Sequence, residues 1–483
     1  MKEKIINKDD KKKEYLNLET ILCLYVMACP ILDMVSFIFR NIFETNFSPS
    51  TIVRPIIAII VIVAIFFKRH IKIKLLVAGF LYGIYAILHL WIFTKLQTDS
   101  AYSNVVHEAQ YIINYSFMIL NLFLYLYVFH DKDTKKLKKS LLVSSIIYIV
   151  SIYVSIFTQT SSYTYIEGMG YKGWFESGNS ISAILILSLF VILPMLKNKE
   201  NKKLILVTVA LIGIFLMMLV GTRVGLLGFI LVVGLYIIVE AFFSFIKKRK
   251  WNKKMLIGGV LGMILVAILI GTVGSATIQR RKHLKEIEGN IVDQSTNQVA
   301  HISGDLLEIK DQIDQGLIKE EYMSKAVQQS ILDLYRVANE KQIANNDMRM
   351  QQLIYNAYLV KNQANPISIL LGNGYMNQFR ELVLEMEIPA FLFNFGILGF
   401  LLYFVPFLGV FLYHFYFGIK YWRKVDSEYI MLLAGSGFTF VLSFFSGYIF
   451  FSSSTMMVNI VMNALLVNRV RKLKIEEEQK ETE

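Results

Sequence analysis

Two glutamates, Glu385 and Glu387, lie directly before a long apolar segment that begins around Pro389. A carboxylate at the end of a membrane span can act as a general base that removes the proton of an attacking hydroxyl. On a helix the two side chains point about 200° apart, so at most one of them can face a shared cavity. The other would meet solvent or cap the helix. We expect Glu385 to be the base, because Glu387 is nearer the helix start and better placed as a cap.

Arg223 and Arg349 are the candidates for binding an anion. Arg223 lies in GTRVGLLGF, where two apolar segments are joined by hardly any loop, and Arg349 lies in a polar segment further along the chain. The planar guanidinium of arginine can hold a phosphate through two parallel hydrogen bonds. Snorkelling and a solvated helix face are the structural alternatives. The basic residues that set membrane topology belong on the cytoplasmic side, and Arg223 falls on the other side, which favours a function for it.

Asp33 is an ionisable residue within an apolar segment, and Arg54, at the start of the next segment, is its expected partner. A charge inside a bilayer costs roughly 2.5 to 3.5 kcal/mol on insertion scales, so it is usually paired or functional. An Asp33–Arg54 pair could serve only to lock two helices together, or it could contribute to a site. The sequence leaves both interpretations open.

Other polar residues could support the same site. Lys172, Glu176 and Asn179 lie in or next to the loop TSSYTYIEGMGYKGWFESGN, where they could contact a polar substrate. Asn179 could instead cap the following helix. Arg336, in the polar segment, is a further supporting candidate. His89 and His107, near the ends of apolar segments, are expected to be packing residues, and they become candidates for the base only if neither glutamate serves.

The composition predicts an all-α polytopic membrane protein. The chain has 483 residues, 55% of them hydrophobic, and a formal net charge of +13. A spanning helix needs about 20 apolar residues. By this measure we predict about twelve transmembrane helices, at 20–39, 51–67, 74–94, 110–129, 140–157, 179–196, 204–221, 223–245, 255–277, 389–418, 428–448 and 451–468.

The distribution of basic residues predicts which side of the membrane each loop occupies. The two tails and every second loop together hold 33 of the 50 Lys and Arg residues. These loops are KRHIKIK, DKDTKKLKK, KNKENKK, KKRKWNKK and KYWRK. Because cytoplasmic loops carry the positive excess, both termini are expected in the cytoplasm. The predicted organisation is therefore a basic tail (1–19), spans one to nine (20–277), a large extracytoplasmic helical loop between spans nine and ten (278–387), spans ten to twelve (388–468) and a cytoplasmic tail (469–483).

The large loop contains recognisable helices. The spacing of Met350, Leu353, Ile354, Ala357 and Tyr358 predicts an amphipathic helix from about 347 to 362, with Arg349, Gln352 and Asn356 on another side of it. The following segment, NPISILLGNGY, predicts a short helix capped by Asn365, with Pro366 in its first turn. The helix is predicted to end at Gly372 or Gly374.

Charge and cysteine content exclude other classes of site. The surplus of positive charge is explained by membrane topology and by attraction to anionic lipid, so no nucleic-acid partner is expected. Cys23 and Cys29 are six residues apart in one predicted span and do not face each other. They imply neither a disulfide framework nor a metal site, and no cofactor is expected.

Several pieces of the chain together resemble the O-antigen ligase and polymerase superfamily of bacterial surface-polysaccharide enzymes. They are CPILD in the first span, GWFESGNSISAIL before the sixth, GTRVGLLGF, the large loop, Arg349 with LLGNGY, and the acidic start of FNFGILGFLLY. The resemblance implies a metal-independent transferase that moves a glycan from a polyprenyl diphosphate carrier to an acceptor glycan on the outer face of the membrane. Arg223 and Arg349 match that family's diphosphate-binding arginines, and polysaccharide-assembly proteins are implied as partners.

One departure from the family pattern bears on the reaction. Ligases of this family place a histidine in the large loop near the tenth span as a proposed base, whereas the corresponding stretch here, MNQFRELVLEMEIPAF, has only glutamates. This favours a polymerase over a ligase. The abundance of Lys and Ile also suggests a low-GC Gram-positive source, which has no lipopolysaccharide core to receive a ligated glycan.

Two functions of other classes remain as alternatives. A flippase or transporter of lipid-linked oligosaccharides would favour polar sites at the membrane midplane and internal repeats, whereas here only Asp33 is clearly charged deep within a span. A membrane scaffold or sensor would use the large loop as a binding domain.

Overall fold

The protein folds into a bundle of long apolar helices and a smaller group of polar-segment helices with its own hydrophobic core. The computed structural model describes residues 18–44, 48–68, 72–96, 104–165, 167–197, 201–246, 276–280, 282, 305–320, 322–341, 343, 348–375, 382–447 and 449–482. The predicted ninth span lies almost entirely outside these residues.

Helices account for nearly all of the regular structure. They are α1 (Leu18–Asn41), α2 (Pro49–Lys68), α3 (Lys72–Leu96), α4 (Val105–Phe129), α5 (Lys135–Phe157), α6 (Gly178–Met195), α7 (Lys202–Ile214, extended by the π-helical turn Phe215–Leu219), α8 (Arg223–Ile246), α9 (Asp305–Asp314), α10 (Lys325–Glu340), α11 (Met348–Gln363), α12 (Pro366–Leu371), α13 (Glu387–Tyr403), α14 (Val405–Lys420), α15 (Ser427–Phe445) and α16 (Ser453–Thr482). Between α5 and α6, β1 (Ser162–Tyr163) and β2 (Tyr171–Gly173) form a small antiparallel ribbon.

The all-α membrane class is confirmed, but the count of twelve spans is not. Within the described residues eight helices are long and apolar enough to cross a membrane, and the bent pair α13–α14 would make nine. In α2 the apolar stretch Ile52–Val63 is shorter than a spanning helix requires. The apolar half of α16 is interrupted by Asn459, Asn463 and Asn468, which are buried and hydrogen-bonded.

Helices α6 and α16 form the centre of the bundle. Helix α6 is almost wholly buried and packs against α5, α7, α8, α15 and α16. Helix α16 packs against α1, α4, α5, α6, α14 and α15. The helices around these two expose apolar side chains on their outward faces, as expected where lipid is the solvent.

Helices α10 and α11 form a second, smaller hydrophobic core. Its buried members include Val327, Ile331, Leu334, Tyr355 and Leu359. The predicted helix at 347–362 is present as α11, but its predicted buried face is wrong: Met350 and Ala357 are exposed, whereas Gln352 and Asn356 are buried. The reason is that these amides hydrogen-bond the chain that runs beside the helix, as described below.

The turn after α12 inserts against a break in α13. Asn365 caps α12 through its side chain and Gly372 ends it with φ of 89°, as predicted. The backbone amide of Asn373 donates to the Phe393 carbonyl over 2.9 Å. Helix α13 is interrupted at Gly396, where φ is 68°, and a Cβ there would lie 2.4 Å from the Gly372 nitrogen. Both glycines are therefore required by the close approach of two backbones as well as by their torsion angles.

Candidate functional site

A cavity of about 1340 Å³ opens among α1, α8, α11, α15 and the ribbon between α5 and α6. Six of the residues predicted from the sequence contribute to its lining, although they come from distant parts of the chain. They are Asp33, Arg54, Asn179, Arg223, Arg349 and Glu385.

Arg349 and Glu385 form an ion pair in the cavity wall. The Arg349 Nε lies 3.3 Å from Glu385 Oε2, and both side chains are a little over one-third exposed. The same guanidinium donates to the carbonyls of Phe445 and Ser446, the latter over 3.1 Å, at the end of α15. These bonds hold the arginine in one orientation while leaving part of it open to the cavity.

Helix α11 also fixes the backbone that presents Glu385. The Gln352 Oε1 accepts a hydrogen bond of 3.1 Å from the Glu385 amide, and the Asn356 amide group donates to the Leu382 carbonyl over 3.1 Å. Arg349, Gln352 and Asn356 thus share one side of the helix, as their spacing predicts, and that side faces the segment 382–385. Two buried amides therefore position the carboxylate.

Arg223 reaches the same cavity from the start of α8. It is exposed, lines the cavity, and forms no ion pair or hydrogen bond among the described residues. Just before it, the Thr222 carbonyl accepts a hydrogen bond of 3.3 Å from the Thr277 hydroxyl. This bond links the hairpin to the short helical stretch at 276–280.

Arg280 also lines the cavity, although no pattern in the sequence had singled it out. Its guanidinium lies 3.5 Å from the ring centroid of Tyr165, which also lines the cavity. Burial raises the pKa of Tyr165, and Arg280, Arg223 and Arg349 all act against that rise. Tyr165 and these three arginines line the same cavity. Its position could have identified Arg280 as a candidate, because Arg280, like Arg223, comes shortly after a predicted span.

Asp33 and Arg54 form the predicted pair. Arg54 Nη2 lies 2.5 Å from Asp33 Oδ1 and 2.8 Å from the Ser454 hydroxyl. The second Asp33 oxygen accepts a hydrogen bond of 2.5 Å from the Tyr148 hydroxyl. The pair therefore connects α1, α2, α5 and α16 at the cavity wall.

A third ion pair in the cavity lining joins Arg40 to Glu176 over 2.8 Å, and the sequence did not predict this pairing. Burial raises the pKa of Glu176, and the Arg40 guanidinium partly offsets that rise. Lys172 does not line the cavity; its ammonium donates to the Glu176 carbonyl over 2.9 Å, and burial lowers its pKa. Asn179 lines the cavity, but the helix cap is Ser177, so the capping interpretation of Asn179 is wrong.

Glu387 does not line the cavity. Its side chain is completely buried, and its two oxygens accept hydrogen bonds of 2.6, 2.9 and 2.9 Å from the amides of Ile449, Phe450 and Phe451. This carboxylate fixes the turn between α15 and α16. The serines that follow the turn, Ser452 and Ser453, do line the cavity.

His89 and Arg336 also lie away from the cavity. His89 is fully buried, with Nδ1 2.6 Å from the Leu371 carbonyl and Nε2 2.8 Å from Glu108, so both ring nitrogens are occupied. Arg336 lies on α10, where it pairs with Asp333 and Glu340. His107, at the start of α4, is absent from the cavity lining.

A family model described as O-antigen ligase like membrane protein matches residues 13–473, nearly the whole chain. The chain belongs to this family. Membership in the O-antigen ligase-like family gives it a multi-pass membrane location and a glycan-transferring role of the glycosyltransferase type. No curated protein and no solved structure matches the chain.

Proposed function

We propose that the chain transfers a glycan from a polyprenyl diphosphate carrier to an acceptor sugar on the outer face of the membrane, polymerising the repeat units of a surface polysaccharide. The observation that carries this proposal is the meeting of Arg223, Arg349 and Glu385 in one cavity. Family membership supplies the general class of reaction. The cavity supplies the two kinds of group that this reaction needs, donors for a diphosphate and an acceptor for a proton.

Each group has a defined task in the transfer. The acceptor hydroxyl attacks the anomeric carbon, and Glu385 takes the hydroxyl proton as the new glycosidic bond forms. The bond between the anomeric carbon and the diphosphate oxygen breaks, and its electron pair leaves with the diphosphate. Arg223 and Arg349, joined by Arg280, stabilise the negative charge that develops there, because guanidinium forks bind phosphate oxygens in pairs.

The absence of histidine from 376–391 favours a polymerase over a ligase. In this proposal Glu385 takes the place of the histidine base of ligases, and the acceptor is a growing glycan. Deletion of the gene tests the reaction: single repeat units on lipid carriers at the outer face support polymerisation. Units trapped on the inner face would instead show that the chain is a flippase.

The proposal requires the cavity to face outward. The charge distribution supports this, since 280–387 carries twelve basic against fifteen acidic residues while both tails and alternate loops are basic. Cysteine substituted for Glu320, in that segment, should react with an impermeant thiol reagent in intact cells. Cysteine substituted for Lys202, in a lysine-rich loop, should react only after permeabilisation. The reverse pattern would contradict the topology and the mechanism with it.

A further inference from the structure

Arg223 and Arg349 are held at the cavity in different ways. The Arg349 guanidinium donates to two carbonyl groups at the end of α15 and pairs with Glu385. Arg223 forms no such bond among the described residues, so the direction of its side chain depends on the backbone at the start of α8. The contacts that fix this backbone therefore decide where the Arg223 guanidinium can reach.

Thr222, directly before Arg223, has a buried hydroxyl with two partners. Its oxygen accepts a hydrogen bond of 3.0 Å from the Gly225 amide, as the side chain of a helix N-cap does. The Ser182 hydroxyl lies 2.8 Å from it and itself donates to the Gly178 carbonyl over 2.7 Å. Because a hydroxyl has one proton, Thr222 donates to Ser182. These bonds tie the start of α8 to the first turn of α6.

The hairpin before α8 is held from other sides as well. A Cβ on Gly170 would lie 2.4 Å from the Val220 carbonyl oxygen, so the turn of the ribbon packs directly on the hairpin backbone. The Thr222 carbonyl accepts a hydrogen bond of 3.3 Å from the hydroxyl of Thr277, three residues before Arg280. Thr222 therefore contacts the supports of two cavity arginines.

We infer that Thr222 is a positioning residue for the transfer, because its hydroxyl sets the direction in which Arg223 leaves α8 toward the diphosphate. The inference rests on the proposed function and adds a residue that touches no substrate. Neither Thr222 nor Ser182 lines the cavity, so their effect on the reaction passes through the arginine. A hydroxyl that served only stability would leave the rate per folded molecule unchanged.

Two substitutions separate the hydroxyl from the rest of the Thr222 side chain. Thr222→Val keeps the branched shape but removes both hydrogen bonds, whereas Thr222→Ser keeps the hydroxyl and loses the methyl group. Thr222→Val should lower kcat/KM for a lipid-linked repeat unit about tenfold or more, because a displacement of about 1 Å in an active site can cost about a hundredfold. Thr222→Ser should retain the wild-type kcat/KM. Equal losses in the two variants would overturn the inference while leaving the proposed reaction intact.

The Arg223→Lys protein tests whether the effect passes through the arginine. In that background Thr222→Val should lower kcat/KM little further, because the group that Thr222 positions is already gone. Losses that multiply as independent effects would contradict the inference. If Thr222→Val fails to insert, Ser182→Ala gives the same test, since it removes the partner of the Thr222 hydroxyl and leaves the cap. A wild-type kcat/KM in Ser182→Ala would then overturn the inference.

Ser324→Ala is a matched control. Ser324 caps α10, where its hydroxyl oxygen accepts a hydrogen bond of 3.4 Å from the Val327 amide, and it lies outside the cavity lining. Loss of this cap should lower the melting temperature without changing kcat/KM. A fall in kcat/KM like that of Thr222→Val would show that loss of any helix cap slows the reaction, and would overturn the inference.

The affinity for inorganic pyrophosphate gives a measurement that does not depend on turnover. Thr222→Val and Arg223→Lys should each bind it about tenfold more weakly, the effect of losing one hydrogen bond to a charged group. Thr222→Ser and Ser324→Ala should bind it as the wild-type protein does. If the wild-type protein makes no polymer but the affinities follow this order, the proposed function fails and the inference stands. If it makes no polymer and the affinities are equal or not measurable, both are overturned.

Discussion

The cavity around Glu385 and the turn held by Glu387 are two polar regions built by carboxylates only two residues apart. Glu387 is completely buried, and three backbone amides use its acceptor capacity. Glu385 is 38% exposed, is paired with one arginine, and faces a cavity. A buried carboxylate that is saturated by backbone donors stabilises a fold. One with free acceptor capacity beside a cavity is available for proton transfer.

The largest effect that this contrast predicts is on catalysis. Glu385→Gln preserves the size of the side chain but removes its ability to take a proton. We expect the rate of polymer formation to fall about a hundredfold to ten-thousandfold, the usual cost of losing a general base. The measurement is the initial rate in membranes supplied with lipid-linked repeat units, normalised to the amount of inserted protein.

Glu340→Gln is a control for that substitution, because Glu340 is an exposed glutamate on α10, outside the cavity. It should form polymer at the wild-type rate. A Glu385→Gln protein that retains near-normal activity would remove Glu385 from the mechanism and reduce the Arg349–Glu385 pair to a structural contact.

The next largest effect concerns the arginines. Arg223→Lys and Arg349→Lys retain the charge but lose the planar fork. Hydrogen bonds to charged groups are worth about 1.5 to 3 kcal/mol, so each variant should lose about tenfold to 150-fold in kcat/KM while still inserting into the membrane. Near-normal rates from both would instead support snorkelling and a solvated helix face.

The two arginine variants should differ in stability. Arg349 also holds the carbonyls of Phe445 and Ser446, whereas Arg223 forms no hydrogen bond among the described residues. Arg349→Lys should therefore lower the melting temperature in detergent more than Arg223→Lys does. Equal melting temperatures would mean that the contacts of Arg349 with α15 contribute little to stability.

Glu387→Gln should affect stability more than catalysis. A glutamine offers one acceptor oxygen and places an amino group near the amides of Ile449, Phe450 and Phe451, so at least one buried donor loses its partner. The expected loss in free energy of unfolding is about 1 to 3 kcal/mol. Activity per folded molecule should stay within a few-fold of wild type. A variant with an unchanged melting temperature but no activity would transfer the role of base to Glu387.

Local patterns in the sequence predicted much of this arrangement. The cap at Asn365 and the Asp33–Arg54 pair depend on residues close in sequence or on simple charge pairing. Helical spacing predicted that Arg349, Gln352 and Asn356 share one side of α11. Glu385 was also preferred over Glu387 from position along the helix, but the reason given is wrong. Glu387 neither meets solvent nor caps its helix; it is buried and binds the amides of 449–451.

The sequence could not predict contacts between residues that are far apart in the chain. The buried face of α11 was mispredicted because Gln352 and Asn356 are satisfied by the backbone of 382–385, a pairing that no local pattern indicates. The partners of Glu387 lie more than 60 residues away, at 449–451. Arg280 and Tyr165 come together only in the folded chain.

The smallest effect is expected from Arg336, which was a candidate for the site on sequence alone. Its side chain is 53% exposed, with Nη2 2.9 Å from Asp333 and Nη1 3.6 Å from Glu340. Exposed ion pairs are typically worth about 0 to 1 kcal/mol. Arg336→Ala should keep polymer formation within about twofold of wild type, whereas Arg349→Ala, also on a helix of the polar segment, should not.

A pH series separates a structural role of Arg336 from a catalytic one. Desolvation opposes ionisation of Asp333, but hydrogen bonds from Asn362 and Arg336 outweigh it and hold its pKa below the usual range. Because this pKa is lowered on folding, the stability it contributes is present above the unfolded pKa and is lost as pH falls through the folded pKa. Arg336→Ala should therefore melt at a lower temperature than wild type above the unfolded pKa of Asp333, and the two should converge at more acidic pH. If Arg336→Ala instead lost activity equally at every pH while its melting temperature stayed unchanged, Arg336 would take part in the reaction. The catalytic residues would then not be confined to the cavity.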